Sequence, residues 1–99
     1  MTHIRLVTGV IEDLERIDAH LRDHESVHAA ERAEEIVSAF DVLAGNPLIG
    51  RPVHADHSEL VMGRGSHGYV AAYRYVDVTD TVIVMALRAQ READYARDA

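Results

Sequence analysis

Seven residues carry the side chains with most to offer chemically: Arg64, Arg74, Arg88, Gln90, Arg91, Glu92 and Tyr95. Four are guanidinium groups, which stay charged at neutral pH and grip phosphates or carboxylates through paired hydrogen bonds. Arg88, Gln90, Arg91 and Glu92 fall within five positions, directly after the most apolar run of the chain, "TVIVMAL" at 81–87. A set of this kind would recognise an anion or an acidic partner. The plainer alternative is ion pairing inside the chain, Arg88 or Arg91 with Glu92 or Asp94, which at a surface contributes under about 1 kcal/mol.

Other chemistry is less well supported by spacing. His20, His24 and His28 run at intervals of four, as on one face of a helix that holds zinc. The segment "DHES" at 23–26 interrupts that face, so no metal is expected. "GRGSHG" at 63–68 lacks the Lys-Ser/Thr ending of a phosphate loop and leads into a strand, so it reads as a tight turn. Tyr69, Tyr73 and Tyr75 share one face of a strand and should pack under helices. No Ser-His-Asp arrangement can be argued. Cysteine is absent, which removes thiolate chemistry and disulfides. No cofactor is implied.

The composition sets the frame for these residues. Ninety-nine residues with 47% hydrophobic content make one folded domain, residues 1–99. No apolar run approaches the ~18 residues of a membrane span, and the N-terminus lacks a signal-like apolar stretch. The expectation is a cytoplasmic protein. Net charge is −7, and all ten cations are arginine. Residues 1–49 hold a balance of −6 and residues 50–99 only −1. An acidic half opposes broad binding of nucleic acid, while the second half can still present a local arginine patch.

The elements that must position these side chains follow from periodicity. "HIRLV" at 3–7 alternates and reads as a strand. Val10, Leu14, Ile17 and Leu21 then recur every three or four residues, with Glu12, Asp13, Glu15, Arg16 and Asp18 between them. That is an amphipathic helix with Thr8 as its N-cap. Ser26 caps a second helix, whose stripe is Ala29, Ala33, Ile36, Val37, Phe40, Leu43 and Ala44. Gly45, Asn46 and Pro47 stop it. Residues 47–57 read as a loop. Strands follow at 59–63, 69–76 and 81–87, joined by tight turns. The fold expected is α+β, in the order β-α-α-β-β-β: a helical hairpin on a mainly antiparallel four-stranded sheet.

The combination "ELVMGRGSHGYVAAYRY" and "DTVIVMALRAQREADY", with "DLERI" and "RAEEIVSAFDVLAGNPLIGRPV" upstream, resembles the RelE/ParE superfamily of type II toxin–antitoxin toxins. The resemblance covers nearly the whole chain. It implies a growth-inhibiting toxin neutralised by a cognate antitoxin. Such antitoxins wrap an extended tail around the toxin, and the usual charge order is a basic toxin with an acidic tail. RelE-like members cut mRNA on the ribosome; ParE-like members inhibit DNA gyrase.

Cleavage by a 2′-hydroxyl needs a base, an acid and cations about the phosphorane. RelE-like members carry basic residues on the strand before the Gly-Tyr turn and an arginine after it. Here that strand reads "SELVMG", and Val70 follows Gly68-Tyr69. Arg88, Arg91 and Tyr95 do match the C-terminal pattern and would be the catalytic set of a ribonuclease. The ParE-like branch is favoured, with Arg64, Arg74, Arg88, Gln90, Arg91, Glu92 and Tyr95 as the target-binding surface. The alternatives are a ribosome-dependent mRNA endoribonuclease and a non-toxic member that only binds antitoxin.

Overall fold

The computed structural model describes residues 2–24, 29–54, 56–63 and 68–90; for residues 18, 20–24, 29–33 and 54 it describes the backbone alone. Strand β1 (His3–Leu6) leads into helix α1 (Thr8–His24), and helix α2 (Ala29–Gly45) follows. The chain then forms β2 (Arg51–His54), β3 (His57–Met62) and β4 (Tyr69–Val76). A short 3-10 turn (Asp77–Thr79) joins β4 to β5 (Thr81–Ala89). The sheet order is β1-β5-β4-β3-β2. β1 lies parallel to β5, and every other pairing is antiparallel.

This is the α+β arrangement expected from sequence, with one strand more. The segment 47–57 contains β2, which pairs Arg51 with Glu59 and Pro52 with Ser58. Pro52 lacks an N–H and signals a loop, yet a sheet edge tolerates it because the outer side needs no donor. A shift in register between Pro52 and His54 breaks the alternation further. The strand is therefore short, edge-placed and invisible to a periodicity argument.

α1 and α2 lie on one face of the sheet. Val10, Ile17, Ile36 and Leu43 from the helices meet Tyr69, Ala71, Tyr73, Val82, Val84 and Leu87 in one cluster. Fully burying side chains of this size contributes about 1.5–3 kcal/mol each. The tyrosine row behaves as expected, with Tyr69 and Tyr73 buried and Tyr75 packed at the rim. α1 takes in Thr8 instead of using it as a cap: the Val7 carbonyl accepts the Val10 N–H at 2.9 Å. Val37 departs from the expected stripe and is 60% exposed. It sits about 100° around the helix from Ile36, beyond the reach of the sheet. Ser26 lies outside the described residues.

The first strand is held by its ends. Asp80 takes the left-handed conformation at φ 49, which a short polar side chain tolerates. Its carboxylate accepts hydrogen bonds from Thr2 Oγ1 and Tyr75 OH, each at 2.7 Å. Its carbonyl accepts the His3 N–H at 2.9 Å. These three bonds set His3 beside Thr81, where the parallel ladder begins. Among the described residues, no helix is long and apolar enough to cross a membrane.

Candidate functional site

The placement of Arg88 depends on one extra residue. Between Thr81 and Val84, β5 pairs with Val76 to Tyr73 in strict order. Val82 and Val84 thereby face the helices and are fully buried. Continued alternation would send Ala86 and Arg88 to that same face. Instead the register shifts between Ala72 and Tyr73, leaving Met85 as the bulged residue. Beyond it Leu87 pairs with Ala71 and Arg88 with Val70. Leu87 enters the core at 0% exposure, and Arg88 turns to the opposite face. A one-residue bulge reverses the facing of all that follows.

A second device holds the strand after the bulge. β1 accompanies β5 only as far as Leu6 opposite Val84, where the Val7 N–H reaches the Val84 carbonyl at 3.2 Å. The chain then turns away into α1. On this edge α1 takes over the hydrogen bonding that a strand would supply. Asp13 Oδ2 accepts the Leu87 N–H at 2.9 Å, and the Arg16 guanidinium donates to the Leu87 carbonyl at 3.2 Å. The two side chains are 3.8 Å apart, one turn from each other along α1. Asp13 is 3% exposed. The sequence placed it on the solvent side of the helix; its burial is a correction. A buried carboxylate is stable here because it is hydrogen-bonded and ion-paired.

The last rung of the sheet is the Gln90 N–H donating to the Gly68 carbonyl at 2.9 Å. A Cβ on Gly68 would stand 2.8 Å from both Gln90 Oε1 and the Met62 carbonyl. Glycine is the residue that lets the Gln90 side chain lie against this turn.

Sheet register brings further groups to the face opposite the helices. Arg74 pairs with Ile83 and Arg5 with the same Ile83 from the other side, so both share this face. Arg51 pairs with Glu59 opposite Ala72, and its guanidinium lies 3.4 Å from the Glu59 carboxylate. The face thus carries Arg5, Arg51, Arg74 and Arg88. Arg74 is four residues along β4 from the Arg88 partner Val70, which separates the two by roughly 13 Å. They share a face without forming a tight cluster. Near Arg74, His57 Nδ1 is 3.3 Å from Asp56 Oδ1. That hydrogen bond holds the Asp56 carboxyl below the usual carboxylate range, with a smaller contribution from Arg74.

Of the residues singled out from sequence, Arg74, Arg88 and Gln90 are described, and the structure brings them to one side of the sheet. Arg64, Arg91, Glu92 and Tyr95 lie outside the described residues, as do His28 and the side chains of His20 and His24. Sequence reasoning missed Arg5 and Arg51. Arg5 could have been found from the alternation of "HIRLV" once its neighbour was known; Arg51 lay in the segment taken as a loop. Chemically the face offers guanidinium groups to phosphates or carboxylates. Among the described residues, the strand positions next to Arg88 on this face are Val70, Val61 and Ala86, which carry no proton-transfer group. Among the described residues, no group of three or more His, Asp or Glu is placed to hold a metal ion.

A family model described as the ParE toxin of type II toxin–antitoxin systems, parDE, matches residues 4–94. No curated protein sequence matches the chain. Among solved structures, the isolated Escherichia coli RelE toxin is similar at a TM-score of 0.62 and 14% identity, covering 94% of this chain and 89% of its own. The toxin–antitoxin complex RelBE2 of Mycobacterium tuberculosis is similar at 0.57 and 23% identity, covering 90% and 98%. The RelE–RelB complex of the archaeon Pyrococcus horikoshii OT3 gives 0.57 and 13%, covering 93% and 98%. At these identities the likeness is one of fold.

Proposed function

The chain belongs to the ParE toxin family of type II toxin–antitoxin systems, and from that premise we propose that it arrests growth by binding an essential macromolecule, with DNA gyrase as the target. Arg88 and Gln90 form the contact surface at one end of the sheet, and Arg74 extends it. Arg64, Arg91, Glu92 and Tyr95, which lie outside the described residues, are assigned to target binding from the sequence alone. The cognate partner is an antitoxin protein, and the site of action is the cytoplasm.

One observation carries the choice of binding over cleavage. Across β4 from Arg88 lies β3, "HSELVM", whose residues on that face are His57, Glu59 and Val61. Glu59 is engaged by Arg51, and Val61 is the neighbour across Val70 from Arg88. Cleavage of RNA requires a base and several cations about one phosphate. Among the described residues, the strand positions next to Arg88 on this face are Val70 and Val61, with Glu59 and His57 two and four residues further along β3, an arrangement that suits docking better.

The test is inducible expression without antitoxin, following DNA damage signalling, filamentation and transcript integrity in the same culture. Filamentation with intact transcripts is expected, and Arg88→Glu should abolish it. Cleaved transcripts would favour the endoribonuclease alternative instead. Normal growth with stable, folded protein would favour the non-toxic alternative.

A further inference from the structure

Two arginines on the face opposite the helices are left without a partner. Arg5 of β1 and Arg74 of β4 stand on either side of Ile83 in β5. Their backbone positions are two strand spacings apart, about 10 Å. Both arginines are exposed, and Ile83 between them is half-buried. Among the described residues neither makes an ion pair or a hydrogen bond. The chain holds 17 Asp and Glu against 10 Arg, so acids are not scarce. Arg16 is engaged by Asp13, and Arg51 by Glu59. Asp56 is near enough to feel the Arg74 charge, yet its hydrogen bond goes to His57.

The backbone beneath both arginines is fixed. β4 and β5 lie inside the sheet, and the hydrogen bonds of Asp80 to Thr2 and His3 anchor the start of β1. A guanidinium carried on a rigid strand, with none of its donors engaged, keeps its full capacity to hold a carboxylate or phosphate in paired hydrogen bonds. Val76, two residues along β4 from Arg74, shares the face and is half-buried like Ile83. The strip therefore sets two cations around an apolar centre. Nucleic acid suits it poorly. A duplex carries a charge about every 1.7 Å, and the net charge of −7 repels it as a whole. A protein segment with a few carboxylates meets less repulsion and can also cover Ile83 and Val76.

We propose that Arg5 and Arg74 receive the carboxylates of an acidic segment of the target protein, with an apolar side chain of that segment resting on Ile83 and Val76. Arg5 thereby becomes a target-binding residue. The contact extends from Arg88 at one end of the face to the row Arg5–Ile83–Arg74, roughly 13 Å away along the strands. The inference rests on the reading of the chain as an inhibitor that binds gyrase, and adds the chemistry that the target must present.

The probe is purified DNA gyrase, titrated with the full chain by calorimetry. Arg5→Glu and Arg74→Glu should each weaken binding roughly tenfold or more, because each sets a like charge against the partner. The neutral pair Arg5→Gln/Arg74→Gln, which alters exposed positions only, should also weaken it, and added salt should then matter less than it does for the parent. Affinity equal to the parent in all three variants would overturn the proposal and leave the gyrase reading intact. Failure of the parent chain to bind gyrase would overturn both. Binding of the parent to a DNA duplex without gyrase, lost in Arg5→Glu and Arg74→Glu, would make phosphate the ligand of the strip and overturn the proposal.

Discussion

Replacing Asp13 by alanine should be among the most damaging single changes to this protein, although sequence alone marks the residue as a surface carboxylate. The Leu87 N–H loses its acceptor, now 2.9 Å away, at a position where Leu87 is fully buried. A buried donor left without a partner costs about 1–3 kcal/mol. The ion pair with Arg16 is lost as well. The Arg16 side chain is 37% exposed, so solvent screening limits that contribution to under about 1 kcal/mol. The expected loss is roughly 1–4 kcal/mol. Against a total of about 5–15 kcal/mol, that removes a large share of the stability. For a domain of this size it corresponds to a fall in Tm of roughly 5–30 °C. Asp13→Asn retains a carbonyl oxygen that can accept the same N–H, and should cost only about 1 kcal/mol. The assay is urea and thermal unfolding followed by circular dichroism, with amide exchange at Leu87 as the local readout. Asp13→Ala within about 0.5 kcal/mol of the parent, the range of ordinary surface substitutions, would refute the account of α1 as a substitute strand. Equal damage from Asp13→Asn and Asp13→Ala would show that charge, not the acceptor, is what matters.

Three further outcomes follow from the same geometry. Deleting Met85 removes the bulge and leaves Ala86, Leu87 and Arg88 opposite Ala72, Ala71 and Val70; the domain should stay folded with Leu87 in the core, measured by retained near-ultraviolet dichroism and an unchanged hydrodynamic radius, and unfolding would contradict the register described. Gly50→Ala places a Cβ 2.5 Å from the Tyr73 ring and 2.9 Å from the Glu59 carbonyl; it should also disturb the 2.8 Å bond in which the Gly50 N–H donates to Tyr73 OH. A loss of about 1–3 kcal/mol is expected in urea unfolding, and a neutral result would contradict the packing described. Hydrogen bonds from Thr2 and then Tyr75 hold the Asp80 carboxyl below its ordinary 3.8. Its contribution is therefore complete above that value and is lost as pH falls through the lower folded-state value; Thr2→Val/Tyr75→Phe should flatten the fall in stability below pH 3.8, measured by urea unfolding at stepped pH.

Much of the architecture was legible because it rests on local period. The stripe Val10, Leu14, Ile17 and the tyrosine row of the fourth strand describe faces that repeat at helical or strand spacing, and both faces are where their periods put them. The elements that escaped are those whose cause lies elsewhere in the chain. β2 carries a proline and a register shift, and it exists because β3 offers an edge to pair with. Val37 looked like part of a stripe until the sheet fixed how far that stripe needed to extend.

The candidate site divides along the same line. The sequence by itself determined which chemistry was on offer: arginines with an amide at the end of an apolar strand, no cysteine, and no Lys or Arg on "SELVMG". Residue type and order are enough for that, since charge and hydrogen-bonding capacity belong to side chains. Tertiary structure alone decided which way those side chains face. Strict alternation from Val82 and Val84 would have buried Arg88, and only the bulge at Met85 turns it outward. It also decided that Asp13 would serve a backbone 74 positions away. Where one strand ends and a helix begins is a matter of neighbours in space, and no spacing within the chain encodes it.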